Sequence, residues 1–100
     1  YALVKDWFEK KHYKHVAVVC ELADINDIPE RERSHFYYMW GKSLRLAGDK
    51  ERALEFLAKS LSFNDRVPNE ALWEYISTLY ENYTPEMINK ELILKPFAEN

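Results

Sequence analysis

The chain has 100 residues, of which 47% are hydrophobic, and its 14 basic and 17 acidic residues give a formal charge of −3. This length predicts a single domain with one modest core, and the charge gives no reason to expect binding to nucleic acid or to an anionic membrane. One cysteine excludes an intrachain disulfide and is typical of a reducing compartment. Only two glycines and little alternation of β-branched residues predict an all-helical fold.

The first two predicted helices form a hairpin. A stripe of apolar side chains predicts a buried helix face over residues 1–10: Leu3, Val4, Trp7 and Phe8. Lys11 and His12 supply the turn, and a second helix is predicted over residues 13–23. Because the chain starts at Tyr1, without a methionine and within a predicted helix, we expect it to be part of a longer protein.

A polar linker over residues 24–33 follows this hairpin. Asp27 is followed by Glu30 three residues later, with Pro29 between them, which resembles the start of a helix. The pattern favours a third helix that begins before Ser34 and is unusually long. A connecting loop that contains Pro29 is the less favoured alternative.

Residues 40–61 predict two antiparallel helices joined by a tight turn. Gly48 can adopt the left-handed conformation that ends one helix, and the Asp49 carboxylate can accept the free N–H groups that begin the next. Small side chains stand where the helices must approach closely, namely Gly41, Ala53 and Ser60. An offset of 37 residues places the first hairpin on this one, so that Val4, Val16, Cys20 and Ala23 correspond to Gly41, Ala53, Leu57 and Ser60.

A third pair follows at an offset of 35 residues. Asn69 is predicted to cap a helix that runs to about residue 82, with an apolar face formed by Leu72, Tyr75, Ile76 and Leu79. Thr84 and Pro85 predict the start of a sixth helix, which Pro96 ends. The chain is therefore predicted to be one domain of three repeat units, at about residues 1–33, 34–68 and 69–97.

This spacing resembles the tetratricopeptide repeat (TPR), whose period is 34 residues. The likeness is carried by Tyr37, Trp40, Gly41, Leu44, Ala53, Leu57 and Ser60. It implies a right-handed α-solenoid of about three antiparallel helix pairs, which binds other polypeptides and is not an enzyme. In TPR arrays the first helix of each pair lines a concave surface, and the candidate protein-binding residues at those positions are Tyr1, Phe8, Tyr38, Met39, Arg45, Trp73 and Tyr80.

Motifs for catalysis or cofactor binding are not legible in the sequence. It has no glycine-rich phosphate loop and no nucleophile with an evident base, so we predict neither a cofactor nor an enzymatic activity. His12, His15 and Cys20 superficially suggest a zinc site. Cys20 occupies a core position and the histidines flank a turn, so a small buried hydrophobe beside two surface imidazoles is the favoured interpretation. A metal-dependent or thiol enzyme is the alternative.

One common use of TPR proteins is not supported by the corresponding residues. TPR co-chaperones bind an acidic C-terminal tail through a basic clamp, and the clamp positions here are Tyr1, Lys5, Met39, Glu70 and Glu74. Two of these are acids, which would repel a carboxylate. An adaptor for chaperone tails is therefore disfavoured.

A narrower similarity covers residues 1–16, 38–42 and 59–64 and the tryptophan-bearing helix that follows. These segments are similar to the N-terminal half of the TPR scaffold subunits of the anaphase-promoting complex, a cell-cycle ubiquitin ligase. In that family the N-terminal repeats form a homodimer, later repeats bind other subunits, and catalysis belongs elsewhere in the complex. The resemblance implies a homodimeric scaffold in the nucleus and cytoplasm. The alternative is a generic adaptor that binds a peptide or helix in an aromatic concave groove.

Overall fold

A computed structural model describes residues 1–63 and 68–82, and all of the regular structure in these two ranges is helical. The α-helices are α1 (Ala2–Glu9), α2 (Tyr13–Leu22), α3 (Arg33–Leu46), α4 (Lys50–Leu61) and α5 (Asn69–Asn82). The predicted all-helical class is thus confirmed for this part of the chain, as are the approximate limits of α1, α2, α4 and α5. The predicted sixth helix lies outside the described residues.

Helix α3 is the centre of the packing. Each helix contacts the one that follows it in the chain, and α3 also contacts α1 and α5, so that α3 touches all four of the others. The main core contains Val4, Val16, Cys20, Ile28, Phe36, Tyr38, Met39, Leu57 and Ala71. Leu44, Ala53 and Phe56 form a second buried cluster, against which Ala17 of α2 packs.

Helix α1 ends in a Schellman motif. The His12 amide donates to the Trp7 carbonyl at 2.9 Å, and the Lys11 amide donates to the Phe8 carbonyl at 3.0 Å. Lys11 has a φ of 64°, the left-handed conformation in which a side chain is strained. The predicted Lys11–His12 turn is therefore confirmed, with a lysine in a place that favours glycine.

Helix α3 ends with the same hydrogen bonds, 37 residues further along. The Asp49 amide donates to the Leu44 carbonyl at 2.8 Å, and the Gly48 amide donates to the Arg45 carbonyl at 3.1 Å. Gly48 has a φ of 99°, and Asp49 Oδ1 accepts from the Arg52 amide at 3.2 Å, as predicted. The first two helix pairs therefore turn in the same way.

The predicted close approach of α3 and α4 is confirmed at Gly41 and Ser60. A Cβ atom at Gly41 would lie 2.6 Å from Leu57 Cγ and 3.0 Å from the Leu57 amide nitrogen. Near the other ends of the helices, Ser34 Oγ donates to the Ser60 carbonyl at 2.9 Å, and Ser60 Oγ donates to the Ser34 carbonyl at 2.7 Å. Both serines are fully buried, so the paired hydroxyls join the two helices without unsatisfied groups.

The linker agrees with the favoured prediction only in part. It contains two 3₁₀ turns, Ile25–Asp27 and Glu30–Glu32, and the α-helix begins only at Arg33. Ile28 is buried and extended, with φ −94° and ψ 127°. A residue before proline avoids the helical conformation, so Ile28 and Pro29 separate the two turns. The suggested helix start at Asp27 is therefore not found, but helical structure does begin before Ser34, because the 3₁₀ turn at Glu30–Glu32 leads directly into α3.

The apolar stripes of α1 and α5 are also less buried than predicted. In α1 only Val4 is fully buried, and Leu3 is 53% exposed. In α5, Leu72 is 50% and Ile76 41% exposed, whereas Leu79 is buried. Periodicity identified the apolar side of each helix but not how much of it the neighbouring helices cover.

Candidate protein-interaction surface

The seven residues predicted to line the concave surface divide into packed and exposed groups. Tyr38 and Met39 are 5% and 1% exposed and belong to the main core. Tyr1 and Phe8 are half-buried and pack against that core. Met39 therefore has no side-chain surface to offer a partner, and Tyr38 has little.

An aromatic cluster joins α1, α2 and α3. The Phe8 ring lies 5.8 Å from the rings of both Tyr13 and Tyr38, in edge-to-face geometry, and the His35 ring lies 5.7 Å from Tyr38. Such pairs stabilise beyond the area they bury. These rings thus hold α1 and α2 on α3, which is a packing role for two of the predicted binding residues.

Tyr1 is fixed at the start of α1. Its ring lies 6.4 Å from the Phe36 ring, and Lys5 Nζ lies 5.0 Å from its centroid. Burial and the nearby Glu32 carboxylate raise the pKa of the Tyr1 hydroxyl to about 12. That hydroxyl is buried and has no hydrogen-bond partner in the described part of the chain.

Arg45 belongs to an ion cluster that fastens α5 to α3. Arg45 Nε donates to Glu74 Oε2 at 2.7 Å, and Lys42 Nζ lies 3.4 Å from Glu74 Oε1. Burial alone would lower the pKa of Lys42, but Tyr38 and Glu74 raise it above its ordinary value. The Glu74 side chain is only 13% exposed, so its charge is neutralised rather than presented to a partner.

The exposed group lies on α5. Trp73 is 70% and Tyr80 62% exposed, and Leu72 and Ile76 stand between or beside them along the helix. Spacings of three, four and seven residues place side chains on one side of an α-helix. Trp73 and Tyr80 are therefore the two candidate residues whose rings are most available to a partner.

The exposed apolar residues of the first hairpin were missed by the sequence analysis. Leu3 and Val18 are more than half exposed, and Leu22 is 82% exposed. The available signal was the 37-residue offset, because it places Leu3 on Trp40, a residue that packs against the cluster that Ala17 of α2 also contacts.

The residues weighed as a zinc site are divided between surface and core. His12 and His15 are exposed with their rings 5.7 Å apart, whereas Cys20 is fully buried. Burial raises the pKa of the Cys20 thiol to about 12, as expected for a thiol that packs in the core. Over residues 1–63 and 68–82, no three His, Cys, Asp or Glu side chains converge as a metal site.

Comparison of the chain with known proteins identifies no relative. No protein-family model, no curated protein and no solved structure matches the chain. Of the helices in the described ranges, none is long and apolar enough to cross a bilayer. The function must therefore be argued from the surface itself.

Proposed function

We propose that this protein is a non-enzymatic scaffold of the TPR kind, which binds another polypeptide at the exposed aromatic side of α5. The observation that carries the proposal is the exposure of Trp73 and Tyr80 on a helix that packs on α3 and α4. Exposed tryptophan and tyrosine are the residues that most often dominate the energy of protein interfaces.

The attachment of α5 supports a preformed surface. Glu74 stands next to Trp73 and is bound by Arg45 and Lys42 of α3, while Ala71 and Leu79 are buried. A side chain on an anchored helix loses less conformational entropy on binding than one on a free segment. The two rings can therefore bind a partner without first ordering the backbone beneath them.

The repeated turn supports the TPR-like arrangement. Two helix pairs with the same terminal hydrogen bonds, 37 residues apart, and helices that pack on their sequence neighbours are the features of stacked helical repeats. The similarity to scaffold subunits of the anaphase-promoting complex extends the proposal to a homodimer within that nuclear and cytoplasmic assembly.

The environment of the titratable groups favours a scaffold over an enzyme. The pKa values of Cys20 and Tyr38 are raised by burial in the core, and the pKa of His35 is lowered mainly by burial and then by Lys5. These shifts arise from packing rather than from a nucleophile paired with a base in a cleft.

Sedimentation equilibrium tests this proposal. We expect the chain to show a monomer–dimer equilibrium, and the double variant Trp73→Ala, Tyr80→Ala to dissociate at least about tenfold more readily, the effect of losing about 1.4 kcal/mol. Because both rings are exposed, the urea unfolding midpoint should not change when it is measured at concentrations where the chain is monomeric. Leu46→Ala, at a 45% exposed residue of α3, is the matched control.

Two results would count against the proposal in different ways. A chain that is monomeric at every concentration removes the homodimer and leaves the adaptor for a peptide. A dimer that the double variant does not weaken shows that Trp73 and Tyr80 are not the interface.

A further inference from the structure

A second exposed apolar surface lies on the first two helices, α1 and α2, whereas α5 is the last helix of the described part of the chain. We call it the α1–α2 face, formed by Leu3, Trp7, His15, Val18 and Val19. Leu3 is 53% and Val18 59% exposed, and Trp7 lines a cavity of about 240 Å³ together with Lys14, His15, Val18 and Val19. In the described structure no helix covers this face.

The central helix pair, α3 and α4, shows which kind of helix packs against the equivalent residues. Advancing 37 residues places Leu3, Trp7 and Val19 on Trp40, Leu44 and Phe56. The Trp40 and Phe56 rings stack with centroids 3.7 Å apart, and both Trp40 and Ala17 of α2 pack against the buried cluster of Leu44, Ala53 and Phe56. The equivalent residues of the central pair therefore hold a helix that presents a small side chain.

The same offset makes His15 correspond to Arg52, a charged residue of the central pair. Arg52 Nη2 lies 3.4 Å from Glu21 Oε1 of α2. Glu21 follows Ala17 by four residues, so both project from one side of α2. The helix held by the central pair thus carries a small apolar residue and, one turn later, an acid.

The charge around the α1–α2 face favours the same kind of helix. A second cavity, of about 320 Å³, is lined by Lys11, His12, Tyr13, Lys14, His15 and Leu46 and adjoins the first at Lys14 and His15. At the corresponding places the central pair has Asp49 for His12 and Glu51 for Lys14. The first pair is therefore basic where the central pair is acidic, in a chain whose formal charge is −3.

We propose that the α1–α2 face binds an amphipathic helix of a partner protein, which presents a small apolar residue followed four residues later by Asp or Glu. The partner helix lies on α1 and α2 as α2 lies on α3 and α4. Its small residue packs on Leu3, Trp7 and Val19, and its acid reaches His15 and Lys14. This site goes beyond the proposed interface at Trp73 and Tyr80 and shares no residue with it.

Fluorescence anisotropy with a defined probe tests the site. The probe is a stapled, fluorescein-labelled peptide with the sequence of residues 13–24, which carries Ala17 and Glu21, with Cys20→Ser to prevent oxidation. The matched probe carries Glu21→Lys. Since an exposed ion pair contributes up to about 1 kcal/mol, we expect the Lys peptide to bind the chain two- to fivefold more weakly.

Four variants of the chain locate the binding. Leu3→Glu should weaken binding at least about tenfold without changing the unfolding midpoint, because Leu3 is largely exposed. His15→Arg, which copies Arg52, should strengthen it two- to fivefold, and His15→Glu should reverse the preference between the two peptides. Trp73→Ala should leave peptide binding unchanged even if it abolishes self-association.

Several outcomes would overturn this site. They are the absence of saturable binding, binding that Leu3→Glu leaves unchanged, and equal affinity for the Glu and Lys peptides. A dimer that Leu3→Glu dissociates in the absence of peptide would also overturn it, because a second copy of the chain would then be the occupant.

Discussion

The first and central helix pairs have the same turn but are stabilised differently. In the central pair Gly48 adopts the left-handed conformation without strain, and Asp49 caps α4. In the first pair Lys11 adopts it at a cost of about 1 kcal/mol, and His12 makes no side-chain cap for α2. The first pair therefore depends more on its packing against α3 than on its own turn.

The two pairs also differ in which of their two helices carries the larger side chain at equivalent buried positions. Gly41 on α3 leaves room for Leu57 on α4, whereas the equivalent residues are the larger Val4 and the smaller Cys20, both buried. The combined volume is similar, which is the condition under which core substitutions are tolerated. A position that requires glycine in one helix pair can thus accept valine in another if its partner is smaller.

Among the substitutions that test this comparison, Gly41→Val should cause the largest loss of stability. The new side chain begins 2.6 Å from Leu57 Cγ, and overpacking of this kind should lower the free energy of unfolding by about 3 kcal/mol in urea denaturation. Adding Leu57→Cys reproduces the first pair. The double variant should be more stable than the sum of the single changes by at least about 1 kcal/mol, and strict additivity would contradict the volume exchange.

The buried serine pair should have the next largest effect. Ser34→Ala or Ser60→Ala removes one hydroxyl and its hydrogen bond to a carbonyl of the other helix, so each should lower stability by about 1 kcal/mol. The double variant should lose less than the sum, because the two hydroxyls also lie 3.1 Å apart. The first pair has Ala23 at the place of Ser60 and no such pair to lose, so Ala23→Ser, a surface change, should alter stability by less than about 0.5 kcal/mol.

Gly48 and Lys11 both adopt the left-handed conformation, and exchanging their residue types should give smaller changes in stability, a loss at Gly48 and a gain at Lys11. Gly48→Ala should lower the free energy of unfolding by about 1 kcal/mol because alanine is strained at a φ of 99°. Lys11→Gly should relieve strain and raise it by about 0.5 kcal/mol, a gain reduced by the greater freedom of glycine in the unfolded chain. Two losses would show that the lysine side chain contributes more than its backbone costs.

Local rules predicted the helix ends well because the determinants lie within a few residues. Gly48, Asp49 and Gly41 could be assigned from conformational preference and size alone, and the structure places each as expected. The linker was harder because Ile28 is held in the core by distant residues, which favours an extended conformation over a longer helix.

The candidate surface was predicted less completely, and its limits have a physical cause. A repeat position shows which side of a helix a residue occupies but not which distant groups cover it. Tyr38 is covered by Phe8 and His35, and Arg45 is engaged by Glu74 29 residues away, whereas Trp73 remains exposed. The sequence has no local pattern that separates these cases.

The helix cap offers the finest test of the comparison. His12→Asp gives α2 the capping residue that Asp49 gives α4, and it should raise the free energy of unfolding by about 0.5 kcal/mol at pH 7. The cap requires an ionised carboxylate, so the gain over wild type should shrink as the pH falls through the aspartate pKa, near 4. A gain that is independent of pH would point to the removal of the imidazole rather than to capping. The same change should weaken binding of the Glu21 peptide, because it places a carboxylate among the cations that attract one.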